Sequence, residues 1–189
     1  MPFDHFGRVA GIYNRMAEFS PSMALLETLE LPQNGLLLDV GGGTGRVGNS
    51  LRKMVRDVVI ADLSIGMARY AVTKGLMTVC APAEHLPFSS ETFDRIIMVD
   101  ALHHVFDQQK VISELWRVCP MGGKILIIEP DIHKVAMILV AIFEKILFMR
   151  SHFLPADEIA SLFPDKNSKI TIFSVKSDVW VSCTKLAKM

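Results

Sequence analysis

Two acids and a run of glycines carry the clearest chemical potential in this chain. In "LLLDVGGGTGRVG", residues 36–48, Asp39 stands two positions before Gly41, and Gly42, Gly43 and Gly45 follow. Glycine tolerates positive φ and leaves backbone N–H groups bare, so a ligand can approach the main chain closely there. Asp62 ends the next β-rich run, "RDVVIAD". A carboxylate in that place can accept hydrogen bonds from two neighbouring hydroxyls, each worth about 1.5–3 kcal/mol when charged. Downstream, Asp100, His103 and His104 cluster in "VDALHHV", where an acid or imidazole could take up a proton near neutral pH. The histidine pair could equally cap the following turn. Glu129, Asp131 and His133 form a third group after "GKILII", facing an acceptor or lying as strand-end acids; their spacing is not read as a metal site.

Several ligands suit a glycine-rich turn. A P-loop is excluded because no GK[ST] follows the glycines. Gly43, Gly45 and Gly48 fit the dinucleotide pattern GxGxxG, and Asp62 could then hold a ribose. In the other frame Asp39, Gly41, Gly43 and Gly45 make a DxGxGxG. An acid just before the first glycine is awkward for a pyrophosphate and sensible for a cation. S-adenosylmethionine answers that description, with an ammonium and a sulfonium at one end and a ribose diol further along. Asp39 would face the cationic end, directly or through water, and Asp62 the ribose.

These groups need a scaffold, and the chain supplies alternating β-rich and amphipathic stretches, the pattern of a mostly parallel sheet flanked by helices. Residues 35–40 are apolar on both faces, as in a buried central strand. "RDVVIAD", "LMTVC", "DRIIMVD" and "GKILIIEP" are four further strands. Ser64 is expected to cap a helix with Ile65, Ala68 and Val72 on one side, stopped by Gly75. Asp107 caps another, whose stripe is Val111, Ile112, Leu115, Trp116 and Val118. "KITIFSV" and "DVWVSCT", separated by Lys176 and Ser177, predict an antiparallel hairpin. The fold class is therefore α/β: a Rossmann-like three-layer sandwich of about seven strands, with a C-terminal hairpin.

A chain of 189 residues, half of them hydrophobic, supports one domain with one sizeable core. Twenty basic and twenty acidic residues cancel, so no global field recruits nucleic acid or an anionic membrane. Cys80, Cys119 and Cys183 lie far apart, which argues against a disulfide framework or a zinc cage and for a reducing cytoplasm. The first residues do not read as a signal peptide, and the apolar run 135–143 is short of the roughly 20 residues a membrane span needs.

Together these motifs resemble the class I S-adenosylmethionine-dependent methyltransferases, type 11, and within them the ubiquinone/menaquinone C-methyltransferase group. "AEHLPFSSETFDRIIMVDALHHV" is similar to the segment from the third strand through the fourth, with its LPF, FD and LHH landmarks. "ELWRVCPMGGKILIIEP" resembles the turn into strand five, although Met121 replaces a usual proline. "FGRVAGIYNRM" resembles an N-terminal segment that folds over the cofactor with a tyrosine, here Tyr13. The resemblance implies a cofactor site of Tyr13, Asp39, Gly41, Gly42, Gly43, Gly45, Asp62, Leu63, Met67, Ala83, Glu84 and Asp100, with S-adenosylhomocysteine as product. Pro82 stands where the family often has an acid. Residues 1–34 would cover the cofactor, 35–130 bind it, and 131–189 form the acceptor side. The apolar stretch 133–153 would be a buried helix, a homodimer face, or the wall of a pocket for a lipid-like acceptor that touches a membrane surface. A nicotinamide-dependent oxidoreductase and a non-catalytic binding protein are the alternative readings.

Overall fold

The computed structural model describes residues 10–11, 19–131, 152–164 and 166–187. Tyr13, His133 and the apolar stretch up to residue 151 lie outside the described residues. Seven strands form one sheet in the order β3-β2-β1-β4-β5-β7-β6. They are β1 (Leu36–Val40), β2 (Asp57–Asp62), β3 (Met77–Cys80), β4 (Arg95–Val99), β5 (Lys124–Pro130), β6 (Ser168–Val175) and β7 (Asp178–Lys185). β1 to β5 run parallel, and β7 lies antiparallel between β5 and β6. The expected strands and hairpin are all present. Lys176 takes the left-handed conformation at φ 55° in the hairpin turn.

The central strands are buried on both faces because helices cover both. On one side Leu38, Ile96, Met98, Ile125, Ile127 and Val181 meet Val111, Ile112 and Leu115 of α4 (Gln108–Val118) and Ile159 of α5 (Ala156–Ser161). On the other, Leu37, Ile60, Ile97, Leu126 and Trp180 pack with α1 (Met23–Thr28), α2 (Arg46–Leu51) and α3 (Ile65–Thr73). Edge strand β6 alternates between half-buried and exposed over most of its length, as a strand covered on one face does.

The two helix starts read from the sequence carry their caps. The Ser64 hydroxyl accepts from the Met67 N–H at 3.1 Å, and Asp107 accepts from Lys110 N–H at 2.9 Å. The buried face of α3 differs from expectation. Met67, Ala68 and Ala71 face inward, while Ile65 and Val72 are 50% and 58% exposed. The neighbouring glycine loop fixes this face at Ala71: a Cβ on Gly45 would lie 3.2 Å from the Ala71 methyl, so a larger side chain at 71 would meet the loop.

The strand order reverses between β1 and β4. Ligands of such sheets settle at the switch point, outside the carboxyl ends of the strands, and among the described residues the loops that bear Gly41, Asp62, Glu84 and Asp100 start at those ends.

Candidate functional site

The glycine loop leaves β1 at Gly41, whose N–H donates to the Ala61 carbonyl at 2.7 Å. Gly41, Gly43 and Gly45 have φ of 67°, 56° and 72°. Each glycine makes room for something different. A Cβ on Gly41 would collide with the Ala101 methyl at 2.5 Å, and one on Gly42 with the Asp39 carboxyl carbon at 2.7 Å. A Cβ on Gly43 would instead stand in a cradle, with Met67 Sδ at 3.8 Å and Asp62 Oδ2 at 4.0 Å.

Asp39 is 1% exposed, and its Oδ2 accepts from the Gly48 N–H at 2.9 Å. Its carboxyl thus turns back under the loop it precedes. Burial pushes its pKa up to about 7, the charge of Asp62 adds to the rise, and the Gly48 hydrogen bond and Arg46 oppose it. The folded state therefore keeps this proton at pH values where the unfolded chain has lost it. The associated stability is present in full below the unfolded value near 4 and disappears as pH rises through about 7. Asp39→Asn keeps an oxygen for Gly48 and does not titrate. Relative to the native chain it is expected to gain about 2–4 kcal/mol of stability between pH 4 and pH 8, read by denaturant unfolding at both ends. Parallel curves for the two proteins would show that Asp39 does not titrate in this window.

Asp62 stands at the end of β2, beside the glycine loop. Its Oδ2 accepts from Gly43 N–H at 2.8 Å and its Oδ1 from Ser64 N–H at 2.8 Å, so one carboxylate ties the loop to the start of α3. Leu63 beside it is 60% exposed, and Met67 is buried. Glu84 stands apart from them: its Oε1 accepts from the N–H groups of Phe106 and Asp107 at 2.9 and 3.4 Å. Ala83, half-buried, packs against the core on the side of α4 and α5.

The third group sits on the turn after β4. Asp100 has φ 50°, a strained conformation for a residue with a side chain, and its N–H donates to the Ile128 carbonyl at 2.9 Å. Its surface is reachable by water, yet protein surrounds it on most sides. That desolvation, with the charges of Glu129 and Asp178, pushes its pKa up to about 6. His103 turns inward to 3% exposure, with its Nδ1 2.5 Å from Glu129 Oε2 and its ring stacked on Phe153 at 4.2 Å. His104 is pushed down to about 3 by burial and then by His103. Glu129, read from sequence as facing an acceptor, is 3% exposed and bonded to this turn. β5 is buried on both faces from Ile125 to Glu129, and Glu129 shares the face of Ile125 and Ile127. No linear signal marked Ala101 or Phe153. Among the described residues, no group of three or more His, Cys, Asp or Glu side chains is arranged to hold a metal, and no helix is long and apolar enough to cross a membrane.

The geometry thus brings Asp39, Asp62 and Met67 to the glycine loop, and Asp100 to the turn whose Ala101 abuts Gly41. Residues 38–127, which contain all of them, match the family model described as "Methyltransferase domain". This segment is a methyltransferase domain. The domain is 36% identical over 101 residues to the demethylmenaquinone methyltransferase of Thermobifida fusca, an alignment covering 50% of this chain and 43% of that one. The chain spans about half the length of the curated relatives it matches. In solved structures, a chain of the complex formed by the Haloferax volcanii methyltransferase activator Trm112 superposes with a TM-score of 0.81. It is 14% identical and covers 99% of this chain and 100% of its own. An S-adenosylmethionine-dependent methyltransferase from Methanosarcina mazei gives 0.71 at 18% identity, covering 90% and 100%. These two neighbours establish the fold of the methyltransferase domain and its flanking elements.

The space beside Gly43 is bordered by the Asp62 carboxylate and the Met67 thioether, and the N–H groups of Gly41, Gly43 and Gly45 donate to the Ala61 carbonyl, Asp62 Oδ2 and the Gly42 carbonyl.

Proposed function

We propose that this chain transfers a methyl group from S-adenosylmethionine to a small, apolar, quinone-like acceptor at the ends of β1 and β4. The observation that supports the reading is the Asp62–Gly43 bond, which holds a carboxylate at the end of β2 against the glycine loop. Residues 35–130 form the cofactor half in this reading, 131–189 the acceptor side, and 1–34, with Tyr13, the cover.

Asp62, which accepts from the N–H groups of Gly43 and Ser64, would meet the ribose diol at the end of β2. In this reading Leu63 and Met67 flank the adenine, and the backbone at Ala83 and Glu84, after β3, meets its far edge. Gly41, Gly42, Gly43 and Gly45 admit the methionine end, with Asp39 beneath the loop and Asp100 across the cleft as the nearby acids. When bound, the cofactor supplies an electrophilic methyl on a leaving group that is already activated. The protein's main task is then alignment, which can contribute roughly 7–11 kcal/mol. Where the acceptor must lose a proton, Asp100, with its pKa near 6, is the best suited of the three candidates. His104, at about 3, is too weak a base, and His103 is enclosed.

Support for an apolar, quinone-like acceptor comes from the names of the relatives, demethylmenaquinone and ubiquinone/menaquinone methyltransferases. Calorimetry with S-adenosylhomocysteine, followed by radiolabelled methyl transfer to a short-chain demethylmenaquinol, tests the reading. We expect saturable binding and a labelled quinone product. Absence of binding at millimolar cofactor, with stabilisation by NADH instead, would favour the oxidoreductase. Binding without transfer to any quinol or phenol would point to the non-catalytic reading.

A further inference from the structure

Glu129 spends its carboxylate in a way the proposed reaction does not account for. It is buried near the end of β5, yet its hydrogen-bond partners among the described residues are on the turn after β4. Its Oε1 accepts from the N–H groups of Ala101 and Leu102 at 3.0 and 2.9 Å. Its Oε2 meets His103 Nδ1 at 2.5 Å. With a carboxylate as partner, the imidazole is assigned a proton on Nδ1. The same turn holds Ala101 so close to Gly41 that a methyl group could not be added there, and it carries Asp100 in the left-handed conformation at the switch point.

We infer that Glu129 is a positioning residue with two separable tasks: Oε1 fixes the post-β4 turn against the glycine loop, and Oε2 fixes the tautomer of His103. The inference rests on the cofactor site proposed above. The first task acts through Ala101 and Asp100 on the methionine end of the cleft. A turn cut loose from Glu129 would let Ala101 drift from Gly41 and let Asp100 relax out of its strained φ. The second task decides which ring nitrogen of His103 carries the proton. His103 is further enclosed by Phe153 stacked on its ring, and its carbonyl accepts from the His152 N–H at 2.7 Å. The imidazole therefore has little freedom to change partners by moving.

Two substitutions separate the tasks. In Glu129→Gln the amide oxygen can still accept from Ala101 and Leu102, which leaves the amide NH2 to face His103. That group can only donate, so the ring must accept at Nδ1 and carry its proton on Nε2. Glu129→Ala removes both tasks. The experiment measures S-adenosylhomocysteine affinity by calorimetry, the His103 tautomer by ¹⁵N NMR, and folding by thermal unfolding, on all three proteins. The expected result is an affinity within about threefold of native for Glu129→Gln, with the tautomer switched, and at least about tenfold weaker binding for a folded Glu129→Ala. An unchanged tautomer in Glu129→Gln, or native affinity in a folded Glu129→Ala, overturns the inference. Should Glu129→Ala not fold, Glu129→Gln decides by its tautomer. A native chain that binds no S-adenosylhomocysteine overturns the cofactor reading and the first task with it, whereas the tautomer comparison still judges the second.

Discussion

Asp62→Ala is expected to weaken S-adenosylhomocysteine binding at least about a hundredfold while the chain remains folded. Two charged hydrogen bonds to the ribose hydroxyls, at about 1.5–3 kcal/mol each, already account for a loss of that size. The substitution also frees Gly43 N–H and Ser64 N–H, whose shared acceptor ties the loop to α3, so the cradle widens as its acid disappears. Asp62→Asn is expected to fall in between, because one oxygen can still accept from one N–H. Calorimetry on native, Asn and Ala proteins, with thermal unfolding alongside, reads both effects. Equal affinity across the three proteins would remove Asp62 from the ribose.

Gly41→Ala is expected to cost about 2–4 kcal/mol of stability and to abolish measurable cofactor binding. Left-handed backbone costs a residue with a side chain roughly 1–2 kcal/mol. At Gly41 the added methyl also meets Ala101 at 2.5 Å, a contact relieved only by shifting the backbone of one loop or the other. Gly75 provides the control. It has a φ of 74° and nothing within 4 Å of an added Cβ, so Gly75→Ala should pay the backbone penalty alone. Denaturant unfolding of the two variants separates strain from collision. If Gly41→Ala loses no more stability than Gly75→Ala, the two loops do not abut as described.

What could be read in the sequence was what depends on neighbours along the chain. Apolar runs ending in polar or glycine residues mark the strands, because a buried strand needs no polar side. Ser64 and Asp107 mark helix starts, because a cap reaches only to the N–H three residues on. The face of α3 was misjudged for the same reason: hydrophobicity favoured Ile65 and Val72, whereas contact with Gly45 requires Ala71.

The acid-glycine frame at Asp39 and Gly41, and the acid at Asp62, belong to the legible part, since their chemistry follows from residue type and spacing alone. Where those acids point does not. Asp39 lies beneath its loop because α2 brings Gly48 N–H back over the end of β1. Glu129 reaches Ala101, Leu102 and His103 because β5 lies beside β4 in the sheet. Gly41 must be glycine because β1 and β4, far apart in the chain, are adjacent at the switch point and press their loops together. The sequence by itself determined the elements and the kinds of group available. Only tertiary structure decided which carboxylate faces the cleft and which supports it from below, because that choice depends on strand order and on contacts between distant segments.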